Sequence, residues 1–144
     1  RCSSIYRTSN SILSGYIYEI ISIEGWNCVK NVLVILTQPD LNRLQVSESL
    51  SATMVLATFG CEVKVLLKQG ALSLLQSERA FDPLKHAFKP ASNLIDSFEF
   101  YDLTPILVEL TEQASAFVKA STQDIEFVEL NTTFIQKFDH VLYW

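Results

Sequence analysis

From residue 31 onward the chain alternates between short unbroken apolar runs and stretches in which apolar residues recur at helical spacing. Residues 31–37 (NVLVILT) form a continuous β-branched and leucine run of strand length, the pattern of a strand buried on both faces of a parallel sheet. Pro39 and Asp40 then turn the chain. Asn42 and Gln45, three apart, make a capping box, and Val46, Leu50, Met54 and Val55 recur at helical spacing up to a stop at Gly60. In residues 61–67 (CEVKVLL) the pattern changes to alternation, Glu62 and Lys64 against Val63 and Val65, which predicts a second strand with one less buried face, nearer an edge of the sheet.

The same grammar continues. Gly70, Ala71, Leu72, Leu74 and Leu75 read as a short helix, followed by a polar connection between Pro83 and Pro90 that is expected to be the most mobile element. Ser92 caps a helix in which Leu94, Ile95 and Phe98 share a face, before a turn at Tyr101 and Asp102. A third strand is expected over 105–110 and a fourth over 125–130. Between them lies a helix capped by Thr111 that carries Ala114, Phe117 and Val118. Phe134, Ile135 and Phe138 mark a last helix, and residues 140–144 a fifth strand. Strand alternating with helix implies crossover connections and a single-domain, three-layer α/β fold of the flavodoxin-like kind: a five-stranded, mostly parallel sheet with helices on both faces. This domain is expected to span residues 29–144. Residues 1–28 show neither period and are read as an extension, loosely ordered or lying on the body as a short helix or strand. Glu19, Glu24 and Trp26 break the pattern of a signal peptide there.

Composition narrows the function classes. With 144 residues, 49% hydrophobic and 19% charged, the chain is expected to fold as one core-rich domain rather than remain disordered. A net charge of −5 disfavours direct binding to nucleic acid, which relies on clustered Lys and Arg. Cys2, Cys28 and Cys61 are odd in number and widely spaced, so neither a disulfide framework nor a zinc or redox CxxC pattern is present, and a reducing, cytoplasmic setting is expected. The apolar runs are interrupted, at Lys64 and Glu109 among others, and none has the length of a membrane-spanning helix.

In a parallel α/β sheet, ligands sit beyond the carboxyl ends of the strands. On the boundaries above, that edge is lined by Thr37, Gln38, Asp40, Lys68, Gln69, Glu109, Leu110, Asn131 and Thr132, with no cysteine or histidine. Cys61 opens its strand and so falls on the opposite edge, where a buried, inert thiol is the expectation. Cys28 precedes the first strand in the same way. His86 and His140 stand alone in their elements, so no converging metal ligands are expected. The four glycines form no phosphate-cradling loop, and the turn Thr37-Gln38-Pro39-Asp40 lacks the character of a flavin phosphate site; no cofactor and no metal are expected. Acidic pairs such as Asp96 with Glu99, or Glu126 with Glu129, read as surface charge. Glu109 is the acid of interest, because it ends a central strand on the reactive edge. It is placed either to orient a partner's group or to meet the helix N-terminus near Thr111 and Glu112.

The stretches KQGALSLL at 68–75, FEFYDL at 98–103 and FDHVLYW at 138–144, in this order, resemble the sulfur relay family that includes DsrE, DsrF and TusC, most closely its TusC and DsrF branch. Gly70, Leu74, Leu75, Tyr101, Asp102, Leu103, Asp139, Val141, Leu142 and Trp144 occupy the family's positions, over roughly 29–144. The resemblance implies a small subunit of a hetero-oligomer, of the TusBCD or DsrEFH type, with TusB- or DsrH-like and TusD- or DsrE-like partners. It also implies transfer of persulfide sulfur, destined in one branch for 2-thiouridine at the tRNA wobble position. The family's catalytic subunits carry a cysteine just after strand three. Here residues 105–113 (PILVELTEQ) have none, and Glu109 falls near its place. The expectation is therefore a non-catalytic structural or interaction subunit, with Gln38, Lys68, Gly70, Tyr101, Asp102, Glu109 and Trp144 as strand-end or interface positions. Two alternatives stand beside it: a cysteine-dependent sulfurtransferase using Cys61, and a thiol-free α/β module that binds a small ligand or assembles with copies of itself.

Overall fold

A computed structural model describes residues 4–7, 30–39, 43–76 and 92–144. Strand β1 (Ser4–Arg7) is followed by β2 (Asn31–Leu36), helix α1 (Arg43–Thr58), β3 (Glu62–Leu67) and a 3-10 segment (Gln69–Leu75). Helix α2 (Ser92–Ile95), a 3-10 turn (Phe98–Tyr101), β4 (Ile106–Glu109) and a second 3-10 turn (Leu110–Glu112) come next. Helix α3 (Ala116–Ala120), β5 (Ile125–Val128), α4 (Thr132–Ile135) and β6 (His140–Tyr143) complete the order. The strands form one sheet in the order β1-β6-β2-β3-β4-β5, and every pair is parallel.

All five expected strands are present, and the sheet is wholly parallel. A sixth strand is added by the N-terminal extension: Ser4–Arg7 lies along β6, with Ile5 opposite Val141 and Tyr6 opposite Leu142. The expected edge position of residues 61–67 is corrected, since β3 lies between β2 and β4. The alternation there has a local cause. β3 pairs with β2 along its whole length but meets β4 only at Leu66 and Leu67, so Glu62 and Lys64 belong to a half-strand with one neighbour. The connection between Pro83 and Pro90, the Asn42 cap and His86 lie outside the described residues.

Because successive side chains of a strand point to opposite faces, the apolar runs divide into two cores. Val32, Val34 and Leu36 of β2, with Val63, Val65 and Leu67 of β3 and Ile106 and Val108 of β4, face a layer built from Val46, Leu50 and Leu56 of α1, Leu72 and Leu75 of the 3-10 segment, Ile95 and Phe98. Leu33, Ile35, Leu66, Leu107 and Val141 face the other way, where Phe134, Ile135 and Phe138 pack from α4 and the turn after it. Helix α1 turns Ala52, Thr53 and Leu56 inward, while Val55, expected on the buried face, points outward. Its buried hydroxyls are satisfied within the helix: Ser49 Oγ donates to the Gln45 carbonyl at 3.0 Å and Thr53 Oγ1 to that of Ser49 at 2.8 Å.

Local chemistry explains the element ends. Gly60 stops α1 at φ 84°, a left-handed conformation that costs glycine nothing, and the Cys61 N–H donates back to Leu56. Asn131 caps α4 by accepting from the Phe134 N–H at 2.8 Å. The helix expected after Thr111 begins later, at Ala116 with Ser115 as its cap, because Leu110–Glu112 is taken by the tighter 3-10 turn. The short helix expected after residue 69 is likewise 3-10 throughout. At the start of the sheet, Asp139 clamps two strands: its Oδ2 accepts from the Asn31 N–H at 3.0 Å, and its own N–H donates to Asn31 O at 2.8 Å. No helix among the described residues is long and apolar enough to cross a membrane.

Candidate functional site at the carboxyl edge

The strand order reverses beside β2, which has β3 on one side and the late strand β6 on the other. Such a switch point is where the carboxyl edge of a parallel sheet opens. Here it is tied shut between the strands: the Thr37 N–H and Oγ1 both donate to the Trp144 carbonyl, at 2.8 and 2.9 Å, and the Trp144 N–H donates to Ile35. Trp144 is buried in the first core, and its indole Nε1 has no hydrogen-bond partner among the described residues.

Next to this tie, Lys68 follows β3 and Glu109 ends β4, and the two form an ion pair with Nζ 2.7 Å from Oε2, both side chains partly buried. The hydrogen bond to Glu109 raises the Lys68 pKa above the ordinary lysine range. Its desolvation opposes the shift, while the charges of Glu109, Tyr143 and Glu112 add to it. Lys68 is therefore a fixed cation, unsuited to act as a nucleophile or base near neutral pH. Glu112 supplies the second link, with both carboxylate oxygens accepting from the Gln69 N–H at 2.9 and 3.1 Å. This bond holds Gln69 at φ 54°, a left-handed conformation that a side chain rarely adopts.

Glu109 and Glu112 are three residues apart at a 3-10 turn, where positions i and i+3 eclipse, so both acids reach the adjacent residues Lys68 and Gln69. Sequence reasoning placed Lys68, Gln69 and Glu109 on this edge but assigned Glu112 to a helix N-terminus. The i, i+3 acidic spacing just after the strand was the signal available for it. Of the two expected roles of Glu109, the contact with the following helix N-terminus is not made: its carboxylate meets Lys68 and gives no side-chain cap to the turn that follows.

Gly70 completes the edge. A Cβ at this position would lie 3.0 Å from the Thr37 carbonyl oxygen, 3.0 Å from Pro39 Cδ and 3.1 Å from Pro39 N, so glycine lets the 3-10 segment approach the end of β2. Two of those three atoms are backbone and cannot swing away. Gly70→Ala is expected to cost about 1–3 kcal/mol, read as a lower urea midpoint at unchanged slope.

The other expected site residues fall elsewhere. Gln38 is exposed beyond β2 on the carboxyl edge. Tyr101 and Asp102 precede β4 and are thus on the amino edge, where with Gly60, Cys61, Glu62 and Lys64 they line an open depression of about 540 Å³. They are not part of one site with Lys68 and Glu109. Cys61, expected to be buried, is only half-buried and lines this depression, and desolvation pushes its thiol pKa up. Cys2 and Cys28 lie outside the described residues. A second open depression of about 640 Å³ adjoins the carboxyl edge between Leu110, Thr111, Val118 and Phe127. No group of three or more His, Cys, Asp or Glu residues converges as a metal site among the described residues.

The class that fold and edge define is a parallel three-layer α/β domain whose carboxyl edge, over the described residues, is held by the Lys68–Glu109 ion pair, the Glu112–Gln69 hydrogen bond and backbone ties, and carries no thiol. No family model matches the chain, and no curated protein matches it.

The Lys68–Glu109 pair makes a prediction about pH. Because the folded-state pKa of Lys68 is raised, its contribution to stability is fully present below the unfolded lysine value, roughly 10.4, and is lost as pH rises through the higher folded value. Wild type should exceed Lys68→Met in stability by up to about 1 kcal/mol at neutral pH, the range of partly exposed pairs. Denaturation curves of the two proteins should converge only on the alkaline side of the usual lysine range.

Proposed function

We propose that the chain is a non-catalytic interaction subunit of a sulfur relay complex of the TusBCD or DsrEFH type, set in the cytoplasm, with TusB- or DsrH-like and TusD- or DsrE-like subunits as its partners. The reading takes its pathway, including the service to tRNA wobble uridine 2-thiolation, from the resemblance of residues 68–75, 98–103 and 138–144. One observation carries its non-catalytic part: the residue near the place of the family's cysteine is Glu109, and it is held by Lys68 at 2.7 Å. A persulfide carrier needs an accessible thiolate that the next thiol can attack. A carboxylate locked to an ammonium offers neither nucleophile nor leaving sulfur, so sulfur moved by the assembly travels on a neighbouring subunit.

Co-expression with a TusB-like and a TusD-like chain is expected to give one complex on size exclusion. A persistent monomer in the presence of both would refute the assignment. The alternative carrier, Cys61, has partial exposure in its favour and a raised pKa against it. After treatment with a persulfide donor, intact-mass analysis should find no sulfur adduct on Cys61. An adduct lost in Cys61→Ser would replace the present reading with a sulfurtransferase that works from the amino edge.

A further inference from the structure

Strand β5 is an outer strand of the sheet, with β4 on one side and no strand of the described residues on the other. The Ile106 N–H donates to the Asp124 carbonyl at 2.9 Å, which fixes the backbone groups that β4 uses. Successive residues of a strand direct their N–H and C=O to opposite sides, so Asp124, Glu126 and Val128 turn theirs toward β4, and Ile125 and Phe127 turn theirs outward. These two residues leave two N–H donors and two carbonyl acceptors along the edge without partners among the described residues. Such a row is a template for one more strand.

The two faces of that edge differ in chemistry. Ile125 and Phe127 turn their side chains to the first core, and Phe127 lines the open depression of about 640 Å³ together with Leu110, Ala114, Val118 and Lys119. The lining holds a cation and no acid, so it suits an uncharged apolar side chain. On the other face stand Asp124 and Glu126, two places apart, both exposed and without an ion-pair partner among the described residues. A strand added here therefore meets the apolar depression with every second side chain and carboxylates with those between. We propose that the outer edge of β5 is a docking surface for an extended segment of another protein in which apolar and basic residues alternate, the apolar ones seated beside Phe127 and the Lys or Arg residues against Asp124 and Glu126. A second copy of this chain is the poorer occupant. Two β5 strands paired antiparallel about a twofold axis normal to the sheet would bring Asp124 and Glu126 of one chain opposite or diagonal to those of the other, and like charges so placed repel. The inference does not rest on the sulfur relay assignment.

The test uses a synthetic peptide of about seven residues alternating Val and Lys, within the common length of a strand. It is added to the whole chain, with fluorescence anisotropy reading affinity and hydrogen exchange at single amides reading position. The Ile125 and Phe127 N–H groups are expected to exchange rapidly in the chain alone and at least tenfold more slowly with the peptide bound. Peptides with Glu in place of Lys, or Ser in place of Val, should bind at least tenfold more weakly. The double variant Asp124→Lys/Glu126→Lys, changed at exposed positions, should keep the wild-type circular dichroism and reverse the preference between the Lys and Glu peptides. No binding of the Val/Lys peptide, equal binding of the three peptides, or binding that leaves the two amides unprotected would overturn the proposal. So would slow exchange of those amides in the chain alone, since the edge would then already be covered, by the chain itself in a monomer or by a second copy in a dimer.

Discussion

Replacing Phe98 with alanine should destabilise the protein by about 3–5 kcal/mol, the range for deleting a buried aromatic ring. Phe98 is fully buried and belongs to the first core, where α1, α2 and the 3-10 segment Gln69–Leu75 meet the sheet. Its carbonyl also accepts the Leu103 N–H at 3.1 Å, closing the turn at Asp102 whose left-handed φ of 56° redirects the chain into β4. Removing the ring therefore leaves a void beneath the turn that positions β4. Domains have about 5–15 kcal/mol in hand, so the loss takes a large fraction of the total. Phe100, two residues on and largely in solvent, supplies the control: Phe100→Ala should stay within about 0.5 kcal/mol. Equilibrium urea unfolding measures both. A Phe98→Ala midpoint close to that of Phe100→Ala would mean that the first core does not close over this turn.

The contrast between those two phenylalanines shows what the sequence made legible. Within FEFYDL, helical spacing from Leu94 and Ile95 selects Phe98 as the buried ring, and the structure agrees. The strands were equally legible, because a run such as NVLVIL leaves no polar face and so can only lie in the middle of a covered sheet. The neighbours of a strand were not. Edge or centre depends on which distant segment pairs with it, and Glu62 and Lys64 reported only that β4 meets β3 late. Ser4–Arg7 is too short to carry a period, and its place beside β6 is set by a partner more than a hundred residues away. The carboxyl edge was legible as a set of strand ends including Lys68, Gln69 and Glu109. The bonds that join them were not, since the contact of Glu112 with Gln69 arises from a 3-10 turn where a helix start was expected.

If the chemistry of the carboxyl edge is governed by the residue at position 109, Glu109→Cys should create a reactive thiol there. Lys68 would lose its carboxylate and stand within reach of a sulfur in its place, and an ammonium at such range lowers the pKa of an acid by about 1–3 units. An ordinary cysteine titrates near 8.5, so a drop of one unit raises its thiolate fraction at pH 7 by about eightfold. Cys61 moves the other way: desolvation raises its pKa, and it lies at the far edge of the sheet. Alkylation by iodoacetamide at pH 7, followed by peptide mass analysis, should label the introduced thiol at least about tenfold faster than Cys61. Adding Lys68→Met to the same protein should remove most of that advantage, because the shift comes from one charge. The Glu112 carboxylate beside Gln69 limits the shift, and Glu112→Gln should accelerate the reaction further. Equal rates with and without Lys68 would show that the ammonium does not govern this edge. Glu109 would then give no electrostatic ground for a non-catalytic subunit.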